Sequence, residues 1–167
     1  MKVYTVKDLD TFERDQYGRL ICPSGDYTQI KSFGERCSFG ERCSFGEKCS
    51  FGKWCSFGEK CSFGEKCSFG EGCSFGEKCN LDNNLKFENI QDQVDRVLKI
   101  DRIGSRRGCT YFFKTLSEIY VRCGCFFGTI ADFETRVKEV HAVREQYLTE
   151  YTEAIRYAKI VLQGAGK

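Results

Sequence analysis

The sequence predicts a β-solenoid followed by a small α+β module, on three observations. Between Phe33 and Asn80 the chain repeats every six residues, as FGERCS, FGERCS, FGEKCS, FGKWCS, FGEKCS, FGEKCS, FGEGCS and FGEKCN. Phe followed by Gly opens every hexad, and Cys stands fifth in each, at 37, 43, 49, 55, 61, 67, 73 and 79. Beyond residue 86 the repeat stops, and ordinary strand and helix periodicities take over. The repeat also accounts for an unusual content of 17 Gly, 15 Phe and 12 Cys in 167 residues.

A six-residue period is no face of an α-helix, and a Gly in each hexad would cost a helix about 1 kcal/mol relative to Ala. An uninterrupted strand fails as well, because regularly placed Gly weakens it. Short extended pieces joined by Gly-assisted corners fit the pattern. A bulky apolar residue followed by Gly, with a small residue four positions on, resembles the hexapeptide repeat of left-handed parallel β-helices. In that family three hexads make one triangular coil of 18 residues. The resemblance implies a short left-handed parallel β-helix of about three coils with rungs roughly 4.8 Å apart. It would span 27–86, with looser hexads at Tyr27–Ser32 and Leu81–Lys86 flanking the perfect block. The family favours Ile, Val or Leu inside. Eight Phe rings instead demand stacking along the axis and a wider or distorted cross-section.

Residues 1–26 read as an N-terminal cap. Val6–Arg14 suits a short helix, Arg19–Cys22 a strand, and Pro23-Ser24-Gly25-Asp26 a turn into the first coil. A solenoid needs such a cover, since its open end exposes core and unpaired backbone. Residues 87–167 read as a ββα-type module with an extra helix. Val94–Ile100 alternates as a strand, and Gly104–Gly108 is a loop. Cys109–Thr115 and Glu118–Phe126 suit two antiparallel strands. Thr129 is placed to cap a helix carrying Phe133, Val137, Val140 and Val143. A second helix over about 147–162 puts Leu148, Tyr151, Ile155, Ala158 and Leu162 on one side.

The fifth-place Cys suits a small inward hydrophobe. A metal array is disfavoured because the thiols stand six apart with no CxxC, and the one His, His141, lies outside the block. A disulfide ladder is disfavoured because nothing suggests secretion. No metal or cofactor site is expected. Cys123-Gly124-Cys125 is too short a motif to define one.

Lys plus Arg is 26 against 24 acidic residues, a net charge of +2, and residues 33–80 carry seven Glu against seven Lys or Arg. Such balance argues against a polybasic membrane binder, a DNA coat or an acidic DNA mimic. No apolar run is long enough to span a bilayer, and MKVYTVKDLDTFERD lacks the apolar core of a signal peptide, so a soluble cytoplasmic protein is expected. The third and fourth places of the hexads are mostly Glu-Lys or Glu-Arg and should face solvent. Two copies depart, Lys53-Trp54 and Glu71-Gly72, and with 18 residues per coil they lie on one face with Glu35-Arg36. An outward Trp beside a Gly makes a shallow apolar spot suited to a partner or to self-association. The alternative is drift at a tolerant surface position. Lys99, Arg102, Arg106 and Arg107 form a second candidate, an anion or nucleic-acid loop, with Tyr111, Phe112 and Phe113 as possible base-stacking groups. A salt-bridged surface loop is the alternative there.

The combination ICPSGDYTQIKSFGERCSFG, the SFGEKC hexads and a tail reading GSRR…CGCFFGT…DFETRVKEVH resembles small hexapeptide-repeat proteins encoded by phages and prophages. That resemblance implies an accessory role in the bacterial host cytoplasm, such as inhibition of a defence effector through contact with a host protein. A homo-oligomer, dimer or trimer, is expected. Many hexapeptide-repeat proteins are acyltransferases with a general-base His near the coils, but residues 27–86 contain no His and His141 ends a predicted helix. No Ser-His-Asp set, P-loop, HExxH or paired catalytic carboxylates can be assembled, so no catalytic residues are assigned. A non-enzymatic binding protein is expected.

Overall fold

A computed structural model describes residues 1–81 and 83–163. Asp82 of the flanking hexad and the last four residues of the C-terminal module lie outside the described residues. The chain divides into two compact units, 1–93 and 94–167.

The first unit is a parallel β-solenoid. Each rung is a Ser-Phe pair that meets the corresponding pair 18 residues away, as in Phe33 with Phe51, Phe39 with Phe57 and Phe45 with Phe63. One face runs Leu20–Cys22, Cys37–Phe39, Ser56–Phe57, Ser74–Phe75, and a second runs Ser32–Phe33, Ser50–Phe51, Ser68–Phe69, Lys86–Phe87. The third pairs Ser44–Phe45 with Ser62–Phe63 and is extended by single bridges at Asp26 and Asn80. The stack is thus about four turns, one more than the hexad count suggests. The extra turn comes from the N-terminal segment. Leu20–Cys22 pairs in parallel with Cys37–Phe39 at a spacing of 17, and Val3 bridges Asp26. The helix at the N-terminus is a single turn, Val6–Leu9, shorter than the Val6–Arg14 expected. Arg14 instead bridges Leu20.

The interior explains why Phe and Cys recur. Phe33, Phe51 and Phe69 stack at 4.9 and 5.1 Å with planes within 5° of parallel, and Phe39, Phe57 and Phe75 form an equivalent column. Rings in different columns meet edge to face, for example Phe51 and Phe57 at 4.9 Å and 89°. Both geometries suit the ring quadrupole. Tyr4, stacked on Tyr27, which in turn stacks on Phe45, closes the N-terminal end. Between the columns the thiols occupy the corners. Those of Cys37 to Cys73 are buried, and Cys55, Cys61, Cys67, Cys73 and Cys79 each donate to the carbonyl of a Gly 21 residues earlier, at 3.2–3.4 Å. Cys is small enough for the corner and carries the weak donor that this inward carbonyl needs. Contacts between stacked thiols, together with burial, push the pKa of Cys37 and Cys49 up and that of Cys61 up to about 11, while the same thiol contacts pull Cys43, Cys55 and Cys67 down.

The corners correct one detail of the reading. The Gly after Phe is needed for space rather than for an unusual backbone angle. A Cβ on Gly58 would sit 2.6 Å from the backbone nitrogen of Glu41 in the coil beneath, whereas a Cβ on Gly34 would meet nothing within 4 Å. The left-handed backbone falls instead two residues later, on Arg36, Arg42, Lys48, Trp54, Lys60, Lys66, Gly72, Lys78 and Asn84, with φ from 52° to 72°. This is uncommon for non-Gly residues. It turns the fourth N–H along the axis, where Arg42, Lys48 and Trp54 donate to the Glu carbonyl of the next coil at 2.7–2.8 Å.

The second unit is a four-stranded antiparallel meander, β1 (Val94–Ile103), β2 (Gly108–Thr115), β3 (Ile119–Cys123) and β4 (Phe126–Thr129), followed by α1 (Ile130–His141) and α2 (Glu145–Gln163). The expected strand over 118–126 is two strands. Gly124, at φ 58°, turns the chain between them, and Cys123 faces Phe126 across the turn. Thr129 caps α1 as predicted, accepting from the backbone N–H of Asp132 at 3.2 Å. The buried stripe of α1 is Ile130, Phe133, Val137 and His141. Val140 and Val143, expected inside, are exposed, because His141 takes the position one turn after Val137. Phe112, Ile119 and Val121 of the sheet share a core with this stripe and with Tyr151, Ile155, Ala158 and Leu162 of α2.

Candidate functional site

At one corner of the solenoid, successive coils stack Glu35-Arg36, Lys53-Trp54 and Glu71-Gly72. The N–H of Arg36 donates to the carbonyl of Lys53 and that of Trp54 to the carbonyl of Glu71, each at 2.8 Å. All six residues singled out in the sequence thus share one ladder. A side chain on Gly72 would collide with the ring of Trp54, so the indole lies over the bare backbone of the next coil. There it remains 54% exposed, in a place where six of the other described copies carry Lys or Arg. Lys53 lies 3.7 Å from Glu71 and 3.4 Å from Glu88, and the backbone N–H of Glu71 donates to Glu88 at 2.7 Å. That N–H, followed by Lys53, holds the Glu88 carboxyl below the usual glutamate range. The corner is a flat apolar ring on a rigid backbone, bordered by paired charges.

The basic loop is differently disposed. Lys99 pairs with Asp101 at 3.2 Å, and Arg107 pairs with Glu150 at 3.2 Å. Glu150 also accepts from the backbone N–H of Gly104 at 2.7 Å, which together with Gln146 and Arg107 lowers its pKa. Arg102 adopts a positive φ, and its carbonyl accepts from Arg107. Tyr111, Phe112 and Phe113 are all buried, so their rings are not presented for stacking on bases. The side chains of Arg102 and Arg106 make no ion pair or hydrogen bond to a described residue, and Arg106 lines a pocket together with Arg136, Phe133, His141 and Tyr151. Arg136 carries no signal in the sequence, because only the fold brings this α1 residue beside Arg106. His141 is buried in the last turn of α1.

Among the described residues no group of three or more His, Cys, Asp or Glu side chains could hold a metal, and no helix is long and apolar enough to cross a membrane. No protein-family model, curated protein or solved structure matches the chain.

Proposed function

We propose that the chain is a non-enzymatic binding protein that presents the Trp54 corner of its solenoid to another protein. The observation that carries this reading is the half-exposed indole held over Gly72, one aromatic ring in an otherwise charged, repetitive surface. Tryptophan on a pre-ordered backbone is a favoured anchor because little conformational entropy is lost on binding. The resemblance to phage and prophage hexapeptide proteins supports a bacterial host protein as the partner, with inhibition of a defence effector as its consequence. Self-association as a dimer or trimer through the same corner is the second form the contact can take.

The test compares the intact chain with Trp54→Ala as bait in lysate of a phage-sensitive bacterium, alongside the solution mass of each. The exposed substitution should leave the circular dichroism unchanged, and a host protein held by the native chain should be lost. If the mass falls instead, the corner serves self-association. Equal retention and equal mass in both proteins would remove Trp54 from any binding role.

A further inference from the structure

The pocket beside Arg106 has a composition of its own. It lies wholly in the second unit and encloses about 320 Å³, within the range of small-ligand sites. The tip of the β1–β2 hairpin supplies Arg106, α1 supplies Arg136 and His141, and α2 supplies Tyr151. None of the lining residues is acidic. Arg106 has no ion-pair partner among the described residues, and Arg136 reaches its one carboxylate neighbour, Glu139, only at 4.0 Å. Arg106 is thus uncommitted, and Arg136 is held only by one long, solvent-exposed contact, at the rim of a cavity whose wall includes Phe126, Phe133 and Val137.

A second, independent observation is the imidazole. His141 is 8% exposed and stacks on Tyr151 at 5.4 Å, and its buried Nδ1 has no hydrogen-bond partner. An unsatisfied polar atom of this kind is uncommon in a folded interior and calls for a partner the protein does not supply. Tyr151 stays a neutral phenol, since burial and then Cys123 raise its pKa, so the pocket holds no compensating anion of its own. The hairpin tip is fixed in place by Gly104 and Arg107, both bound to Glu150, so Arg106 projects from an anchored turn.

We propose that this pocket binds a small organic oxyanion with a flat apolar body, its carboxylate or phosphate taken by Arg106 and Arg136 and its body laid against the aromatic wall. Planar guanidinium groups match such heads by paired hydrogen bonds. A polymeric nucleic acid is disfavoured because Lys99 and Arg107 are paired and the nearby aromatic residues of β2 are buried.

His141 is the only histidine, so its imidazole NMR signals report on the site without ambiguity. The intact chain is titrated with phenyl phosphate, benzoate, inorganic phosphate and benzyl alcohol. Phenyl phosphate or benzoate should shift the His141 signals saturably at low-millimolar concentration, the tighter of the two identifying the head group. Arg106→Ala and Arg136→Ala, both at exposed positions, should each weaken that binding about tenfold, as loss of one charge-assisted contact implies. No shift with either aromatic anion would overturn the proposal, and so would binding undiminished in both arginine variants. Equal binding of inorganic phosphate would reject the apolar half of the site, and equal binding of benzyl alcohol would reject the anionic half.

Discussion

In the solenoid every environment recurs, and in the C-terminal unit none does. Phe57 sits between Phe39 and Phe75 in one column just as Phe51 sits between Phe33 and Phe69 in the next. Phe133 instead meets Phe112 and Tyr151 edge to face and Phe126 at a tilt, three different partners with no repeat. Repetition places the constraint on the backbone, since one corner geometry must serve every coil. The non-repeating unit places it on individual side chains and turns. The two should therefore fail in different ways.

The largest effect belongs to the corner glycines. Gly58→Ala forces a Cβ against the backbone of the coil beneath, which cannot yield without opening a rung, and we expect a loss of several kcal/mol or failure to fold. Gly34→Ala faces open space and should change the unfolding free energy by no more than about 0.5 kcal/mol. Similar losses in the two variants would remove the distinction between crowded and uncrowded corners.

In the other unit the sharpest single dependence is a cap. Thr129→Ala leaves the N–H of Asp132 without its acceptor and should cost about 1 kcal/mol in urea unfolding. A smaller change of opposite sign is expected at the left-handed corners. Lys60, at φ 57°, is strained, and Lys60→Asn should stabilise by up to about 1 kcal/mol, because Asn tolerates that region better. A loss of stability on that substitution would contradict the assignment of strain to the fourth place.

The smallest effect is one of pH. Glu88 and Glu150 have folded pKa values below the ordinary 4.5, so the stability they lend is present above that value and fades as pH falls through it. Glu88 is exposed and Glu150 half-buried beside solvent, and the acid-side loss in thermal unfolding should be slight and weaker still in high salt. Glu88→Gln should flatten it. A rise in stability between pH 5 and about 3 would reverse the sign argued here.

This contrast also governs what could be read from the residues alone. Period and coil register were open to reading, because Phe, Gly and Cys recur in step and Trp54 and Gly72 are one coil apart. The extra turn was hidden: Leu20–Cys22 joins the stack at a spacing of 17 and carries neither the Phe nor the Gly of the hexad. The positive φ at the fourth place left no trace in the sequence, since Lys, Arg and Trp occupy it as readily as Gly. In the second unit Thr129 announced its helix, yet the turn at Gly124 was read as continuous strand because the flanking residues favour strand on both sides. The valine stripe of α1 was misaligned because polar His141 takes the buried position. The pocket was invisible because Arg106, Arg136 and Tyr151 come from three separate elements.

Trp54 is the sole tryptophan, and its fluorescence reads the coil register and the candidate surface at once. Gly72→Ala places a methyl group where the indole rests, so the emission should move to longer wavelength and acrylamide quenching should increase. Lys60→Ala and Lys66→Ala, six and twelve positions away, should leave both unchanged. An emission spectrum indifferent to Gly72→Ala, with circular dichroism intact, would mean that residues eighteen apart do not lie over one another.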